Sequence, residues 1–227
     1  MKRLLFGTFL LFLFLPQSGL TQRLSVYNLG VHAGVEYPKL YWNYHEESNP
    51  YNGTRDDFTI RPHAQITYDL SLTEHFKPRI FTGYSRLGFR EAFAIDDVLG
   101  DKGRQHVRMN TISVGIKALF DTSVLKFGPV FSWYKILDAE WEYQIKQSTG
   151  QWNTSFVDEN YDRFLADHAY EAGFSIQRFI GPNFVVSFEG LYTLNDIFIH
   201  EDKLPGGLLS QYTWFPQHYR LTLGYAL

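Results

Sequence analysis

Hydrophobic residues recur at every second position along most of the chain, which is the period of a β-strand. The longest run covers residues 58–72, where Ile60 and Ile66 share an apolar face and Arg61 and Gln65 share the opposite one. The pattern predicts eight strands, which lie in residues 27–37, 58–72, 79–85, 111–120, 125–134, 164–177, 184–195 and 219–227.

The third of these runs is the least regular. Ile80, Thr82 and Tyr84 compete with Phe81 and Gly83 for the apolar face. A shift of one residue exchanges the two faces of a strand, so the sequence leaves the orientation of this strand open.

The connections between the predicted strands alternate in length. Three of them are tight turns rich in turn-forming residues, at residues 73–75, 121–123 and 181–183. The other four are long, at residues 38–56, 86–106, 135–161 and 196–217. An antiparallel meander places all the short turns on one side and all the long connections on the other.

The composition of the two faces favours a barrel in a membrane over a soluble sheet. The apolar face is lined with Tyr, Phe, Trp, Leu and Val, and the opposite face is rich in Gly, Ser and Thr with isolated charges. A narrow barrel needs small inward residues, and a lipid-facing exterior needs an unbroken apolar band. The predicted fold is an all-β, eight-stranded antiparallel up-and-down transmembrane barrel, with short periplasmic turns and long extracellular loops. A β-sandwich or a lipocalin-like barrel, which turns its apolar face inward, is the alternative.

Aromatic residues near the strand ends are candidates for the two membrane interfaces, where Tyr and Trp are enriched. These predicted interfacial residues are Tyr27, Tyr37, Phe58, Tyr68 and Trp133. The last strand carries a second outward set: Tyr219, Leu221, Leu223, Tyr225 and Leu227.

The first residues have the features of a secretory signal peptide. Lys2 and Arg3 precede an apolar run at residues 4–15, which Pro16 ends. The run is too short to span a bilayer as a helix, and a retained N-terminal anchor is the alternative. Cleavage after Thr21 is expected, which divides the chain into a signal peptide at residues 1–21 and a barrel domain at residues 22–227.

Charge and cysteine content exclude several classes of protein. The formal net charge is −3, and no strongly basic balance is present to favour nucleic acid as a partner. The chain has no cysteine, which excludes disulfides, thiolate metal sites and a lipid anchor on an N-terminal cysteine.

Charged residues on the polar face form the main candidate site. Those predicted to point into the lumen are Glu36, Arg61, His63, Asp69, Lys117, Lys126, Asp167, Glu171, Glu189 and Arg220, with Arg79 added if strand three is oriented that way. Mixed signs favour paired charges that fill the lumen, and a binding or conducting site is the alternative. The His residues are scattered without metalloprotease spacing, so we assign no catalytic, metal or cofactor residue.

Three segments resemble the outer membrane β-barrel domain family of Gram-negative bacteria, which includes PorT-like proteins and OmpA-like eight-stranded barrels. They are FGPVFSW at residues 127–133, the segment at residues 167–197 and the terminal YRLTLGYAL at residues 219–227. The resemblance implies residence in the outer membrane, contact with its lipid and delivery by the barrel-assembly machinery. It also implies a role in a secretion apparatus, as in PorT-like proteins.

The sequence therefore predicts a non-enzymatic outer-membrane barrel that has a structural role or binds a partner or ligand through its extracellular loops. A component of a protein secretion apparatus is the first alternative. A narrow porin and a lipid-modifying outer-membrane enzyme are further alternatives.

Overall fold

Strands form where the alternation predicts them, and several continue further. The computed structural model describes residues 29–44, 59–70, 72–73, 75–96, 101–122, 124–146, 150–181, 183–197 and 212–227. Its strands are β1 (Leu29–Tyr44), β2 (Arg61–Asp69), β3 (Phe76–Asp96), β4 (Asp101–Asp121), β5 (Lys126–Lys146), β6 (Trp152–Asp158), β7 (His168–Phe179), β8 (Phe184–Thr193) and β9 (Tyr212–Ala226). A short 3-10 helix, Tyr161–Phe164, lies between β6 and β7. Within these ranges no helix is long and apolar enough to cross a membrane.

Eight of the strands close into a ring. Each pairs antiparallel with its neighbours along the chain, β5 pairs directly with β7, and β1 pairs with β9. The predicted eight-stranded antiparallel barrel is therefore confirmed. β6 lies outside the ring and pairs only with the far end of β5, from Trp141 to Lys146.

The stagger of the strands fixes the width of the barrel. Starting at Leu29, the paired residues around the ring are Tyr68, Ile80, Ile116, Phe131, Ala172, Tyr192, Gln217 and finally Lys39. The path returns to β1 ten residues beyond its start. For eight strands this stagger gives a strand tilt of about 40° and a backbone radius of about 8 Å. A cylinder of that radius has room for inward side chains and little else.

Pairing with both neighbours settles the orientation of the third predicted strand. Ile80 and Tyr84 are exposed on the outside of β3, whereas Phe81 is only 2% exposed and points inward. Phe81 pairs with Thr67 of β2 and with Gly115 of β4, both on the inward face. A Cβ on Gly115 would lie 2.6 Å from the Phe81 ring, so glycine at this position makes room for the ring.

The three predicted short turns join strands at one end of the barrel, at residues 70–75, 122–125 and 180–183. All four predicted long connections overlap strands: residues 38–44 belong to β1 and residues 212–217 to β9, and the other two connections are largely strand. Residues 86–96 continue β3, residues 101–106 belong to β4, and residues 135–161 contain the end of β5 and the whole of β6. Strand pairing persists there because alternation persists: Val107 and Met109 are buried while Arg108 between them is not.

Two groups of strands consequently extend beyond the ring at the end opposite the short turns. One is a ribbon of β1 and β9, which remain paired as far as Tyr44 and Tyr212. The other is a sheet of β3, β4, β5 and β6. The four-stranded extension is called the outer sheet below.

Candidate functional site

The inward face of the ring brings most of the predicted lumen residues together in the barrel interior. Eight of them are nine-tenths or more buried: Glu36, His63, Asp69, Lys117, Lys126, Glu171, Glu189 and Arg220. Arg61, at the end of β2, is half-buried. The buried charges fall into three levels along the barrel axis.

The level nearest the short turns, the turn-side cluster, contains Asp69, Arg79, Lys126, Lys77 and Asp121. Arg79 donates hydrogen bonds from Nε and Nη2 to the Asp69 carboxylate, with Nη2 at 2.8 Å from Oδ2. Lys126 Nζ lies 3.8 Å from Asp69 and 3.5 Å from Asp121, which also pairs with Lys77 at 2.9 Å. Asp69 and Arg79 are register partners across the turn between β2 and β3, so the hairpin itself places this pair.

A single ion pair occupies the middle level. Lys117 Nζ donates to Glu189 and to Gln65 Oε1, the latter at 3.1 Å. The ammonium group also lies 4.6 Å from the centre of the Phe81 ring, a cation–π distance. Since Lys117 and Glu189 are essentially unexposed, each charge depends on the other for its stabilisation.

The loop-side cluster lies nearest the long connections and joins two carboxylates through shared cations. Arg220 Nε donates to Glu36 at 2.8 Å, and its Nη2 lies 3.9 Å from Glu171. His218 lies between the same acids, with Nδ1 3.3 Å from Glu36 and Nε2 2.7 Å from Glu171. The His218 separations are close approaches without aligned hydrogen bonds. Ser132 Oγ completes the set by donating to Glu171 at 2.7 Å.

An apolar core, which was not predicted from the sequence, lies above the loop-side cluster. It contains Leu87, Val107, Met109, Tyr134, Ile136, Ala139, Tyr161, Leu165, Ala169 and Ile197. Tyr161 comes from the 3-10 helix and Leu165 follows it, so the connection between β6 and β7 folds over the barrel mouth. Burial, with the nearby Asp158 carboxylate adding to it, raises the pKa of Tyr161. The signal in the sequence was the apolar alternation of Val107 and Met109.

One predicted lumen residue is wrongly placed. Asp167 is exposed and lies before β7 begins at His168. The predicted strand started too early, at Phe164, which instead ends the 3-10 helix and packs against the apolar core. Only the backbone oxygen of Asp167 joins the sheet, where it accepts a hydrogen bond from Ile136.

The outer surface of the ring carries aliphatic residues between two rows of exposed aromatic side chains. The row near the short turns includes Tyr68, Phe120, Phe127, Phe184 and Tyr225, and the opposite row includes Tyr84, Trp133, Tyr170, Tyr192 and Tyr219. Tyr37 is half-buried and stacks on Tyr219, with ring centres 6.4 Å apart. Leu221, Leu223 and Leu227 are also exposed. The predicted interfacial residues Tyr27 and Phe58, and the predicted signal peptide, lie outside the described residues.

A hydrolase needs a Ser-His-acid triad, and a metalloenzyme needs a group of metal-ligating side chains. His63 Nδ1 lies 2.7 Å from Ser85 Oγ and 3.9 Å from Glu36, whereas a Ser-His-acid triad uses opposite ring nitrogens for its two partners. All three residues are buried below the apolar core. In the described part of the chain no group of three or more His, Cys, Asp or Glu residues is placed to hold a metal ion.

Comparisons with known proteins yield matches among solved structures. The chain is similar to Ail, the attachment invasion locus protein of Yersinia pestis, at 11% identity and a TM-score of 0.41, covering 88% of this chain and 99% of that one. Neisserial surface protein A matches at 10% identity and a TM-score of 0.41, covering 88% and 97%. The outer membrane protease OmpT from Escherichia coli matches at 11% identity and a TM-score of 0.39, covering 88% and 94%.

No family model matches the chain. No curated protein matches it either. The barrel described above therefore rests on the strand pairing of this chain itself.

Proposed function

We propose that this protein is a non-enzymatic β-barrel of the bacterial outer membrane, and that it acts through the surface it presents outside the membrane. The observation that carries the proposal is an inversion of polarity along the barrel axis. Around the ring, apolar side chains face outward and charged ones face inward. Above the loop-side aromatic row, the apolar core faces inward and Arg108, Glu140 and Asp138 face outward.

The outer surface of the ring suits lipid, and the outer surface of the outer sheet suits water. Outward Ile66, Ile116 and Leu223 are 43–51% exposed, which is favourable in lipid and unfavourable in water. The outward side of the outer sheet carries ion pairs, which are favourable in water and unfavourable in lipid. The boundary between the two patterns is the expected position of the outer membrane surface, with the short turns facing the periplasm.

The filled interior supports an interaction role over a porin. The three levels of buried charge and the apolar core occupy successive heights of a cylinder about 8 Å in radius. Burial of the Ser85, His63 and Glu36 side chains likewise favours a structural role for these residues over catalysis.

Planar-bilayer recording of the purified barrel tests this proposal. We expect few ions to pass and no stable unitary conductance at either polarity, because the paired charges and the apolar core occupy the lumen. A protein-free detergent sample is the control. Large, regular open channels would overturn the filled-lumen interpretation and favour the porin.

A PorT-like role in a secretion apparatus is the second proposal, supported by the resemblance of residues 127–133, 167–197 and 219–227. It predicts that secretion proteins co-purify with the barrel from native membranes under mild detergent. Outer-membrane lipid and, during biogenesis, the barrel-assembly machinery are the other proposed partners.

A further inference from the structure

The strand β6 forms one edge of the outer sheet. It pairs with β5 along Trp152–Asp158, and no strand in the described ranges pairs with its other side. Residues 153–157, between these ends, are all exposed. The Thr154 hydroxyl bonds back toward β5, where it donates to Glu142 at 2.8 Å. A strand at a sheet edge points a row of amide and carbonyl groups away from its neighbour, and these groups can pair with a further strand.

The other strand edges that extend beyond the ring carry residues that hinder the addition of a strand. Proline and charged side chains are the usual means of protecting an edge. The ribbon contains Pro38 and Pro216, and the edge of β3 beyond its pairing with β2 contains the charged residues Arg86, Arg90, Glu91 and Asp96. Residues 152–157 of β6, WNTSFV, contain neither a proline nor a charge. Among the edges that the structure describes, β6 is therefore the one that suits strand addition.

Aromatic rings line the core side of this edge. Phe156 is 50% exposed and packs edge-on against Trp141, with ring centres 5.6 Å apart. Tyr143 is the register partner of Phe156 and lies on the same face. An added strand places every second side chain beside these rings. A segment that binds here is therefore expected to carry apolar residues at alternate positions.

The outward side of the edge is positively charged at its Trp152 end. The guanidinium carbon of Arg104 lies 4.2 Å from the centre of the Trp152 ring, and Lys146 is the register partner of Trp152. Arg104 donates to the neutral side chain of Gln144, and within the described ranges neither cation forms an ion pair. An acidic side chain near this end of an added segment complements that charge.

The shape of the edge favours a flexible segment of another protein over a second copy of β6. Ser155 has no register partner on β5, so the edge bends there and an added segment must follow the bend. Two copies in one membrane share a direction, and a two-fold axis along the membrane normal relates them. That axis crosses two β6 strands at about 80°, twice the strand tilt, which is too steep for pairing.

We propose that β6 is a docking edge, which binds an extended segment of another protein and adds it to the outer sheet as a further strand. The segment has apolar residues at alternate positions and an acidic residue near Trp152. The inference rests on the proposed function, in which the outer sheet lies outside the membrane. It adds the class of partner and the place where that partner binds.

Peptide display on the full barrel in detergent tests the inference. The probe is a library of random peptides as long as β6, and fluorescence anisotropy measures the affinity of the peptides that are enriched. We expect these peptides to alternate apolar and polar residues and to carry an acid at one end. The double variant Asn153→Lys/Val157→Lys puts charge on the edge and should weaken their binding about tenfold or more. Leu137→Lys is the matched control, because Leu137 is equally exposed but lies on β5, away from the edge.

Two N-methylated forms of one enriched peptide separate backbone pairing from contact between side chains. One form is methylated at odd positions and the other at even positions. Alternate amides of a strand point to opposite sides, so one form should lose affinity by about tenfold or more and the other should keep it. Hydrogen exchange of the amides of residues 152–158 should slow when the unmethylated peptide binds.

The inference fails if no peptide is enriched, if the two methylated forms bind equally, or if the folded lysine variant binds as well as wild type. Slow amide exchange in residues 152–158 without peptide, together with a dimeric barrel in analytical ultracentrifugation, would assign the edge to a second copy and would also overturn it. All these assays are done in detergent. Their failure therefore leaves the membrane location to surface labelling and the filled lumen to bilayer recording.

Discussion

At the scale of single residues, the outward face of β4 changes from apolar to polar between two successive outward positions. Ile112 faces outward and is 42% exposed, and the next residue on that face, Asn110, accepts a hydrogen bond from Tyr84 and donates one to Asp138. On the opposite face, Thr111 is polar and Met109 is apolar, and both are buried. Neighbouring positions of one strand therefore mark where the outward apolar surface ends and the outward polar surface begins.

The sequence predicts which face a residue occupies, but not its partner. Alternation places Lys117 and Glu189 inward, yet their pairing joins positions far apart in the chain and depends on the stagger of the whole ring. Asp69 with Arg79 is the exception, because a short hairpin sets their register locally. This difference explains why the inward charges are predictable from the sequence, although none of their pairings was predicted.

The first stability prediction compares the same substitution at two depths of one face. Ile66 and Ile60 are both exposed isoleucines, at 51% and 53%, and Ile60 lies six residues further toward the loop side, beyond the aromatic row. Ile66→Arg should lower the free energy of unfolding by about 2–4 kcal/mol, because it places a cation near the bilayer midplane. Ile60→Arg should cost about 0–1 kcal/mol, the range near an interface.

Reversible urea unfolding in lipid vesicles measures both costs, and Ile66→Leu serves as a volume-conserving control. Equal losses for the two arginine variants would show that depth has no effect and would favour a barrel surrounded by water. A larger loss at Ile60 would contradict the order of the two positions along the membrane axis.

At the scale of strands, alternation in the sequence predicts every strand of the ring but not the outer sheet. The predicted strands ended where the outward apolar residues ended, near Ser85, Thr111 and Tyr134. Beyond those points the alternation continues with the apolar set inward, as the buried Leu87, Val107 and Ile136 show. The apolar positions therefore move from the outward to the inward set of residues, and a pattern with outward apolar residues alone predicts loops there.

A β-bulge accompanies the change on β5. The register between β4 and β5 shifts between Asn110 and Thr111, and Leu137 and Asp138 are both exposed as a result. The extra residue strengthens the local twist of the strand. After the bulge, Ala139 and Trp141 face the apolar core. Prediction from alternation alone fails at such a point, because one inserted residue exchanges the faces of everything that follows.

Proline has a related role in the ribbon of β1 and β9. Pro38 and Pro216 lie beyond the last pairings of β1 with β2 and of β9 with β8, so within the described ranges each strand is paired on one side only at that level. A proline has no amide hydrogen to offer and is tolerated at such an edge. It also makes the edge a poor template for another strand.

The second stability prediction concerns the apolar core over the barrel mouth. Leu165 is 1% exposed in this core, whereas Leu137 at the bulge is 50% exposed. Leu165→Ala should lower the free energy of unfolding by about 2–5 kcal/mol through lost burial and the cavity it leaves. Leu137→Ala should change it by no more than about 0.5 kcal/mol, as for other surface positions.

Urea midpoints in lipid vesicles compare the two leucine variants, and amide hydrogen exchange reports which strands lose protection. We expect the loss in Leu165→Ala to concentrate in residues 135–146 and 152–169. Equal costs for the two variants would contradict an apolar core built by the connection between β6 and β7.

At the scale of the whole molecule, the distribution of apolar and charged side chains between inside and outside reverses along the barrel axis. The ring is apolar outside and ion-paired inside, and the outer sheet with its covering connection is apolar inside and ion-paired outside. The aromatic row at Tyr84, Trp133 and Tyr219 separates them. In the proposed outer-membrane location, these two organisations set both the depth and the direction of the molecule.

Epitope insertions at the two ends of the barrel test this direction. Gly150 and Gly181 both occupy turns with positive φ, of 84° and 128°, and a Cβ at either would have nothing within 4 Å. Gly150 lies between β5 and β6 beyond the outer sheet, and Gly181 lies in the short turn between β7 and β8 at the opposite end. A short epitope inserted after either glycine should therefore leave the ring intact. We expect antibody to label the Gly150 insertion on intact cells, and the Gly181 insertion only after the outer membrane is permeabilised. The heat-dependent gel migration of each variant checks that it folds. The reverse labelling pattern would invert the orientation, and labelling of neither insertion before permeabilisation would remove the outer sheet from the cell surface.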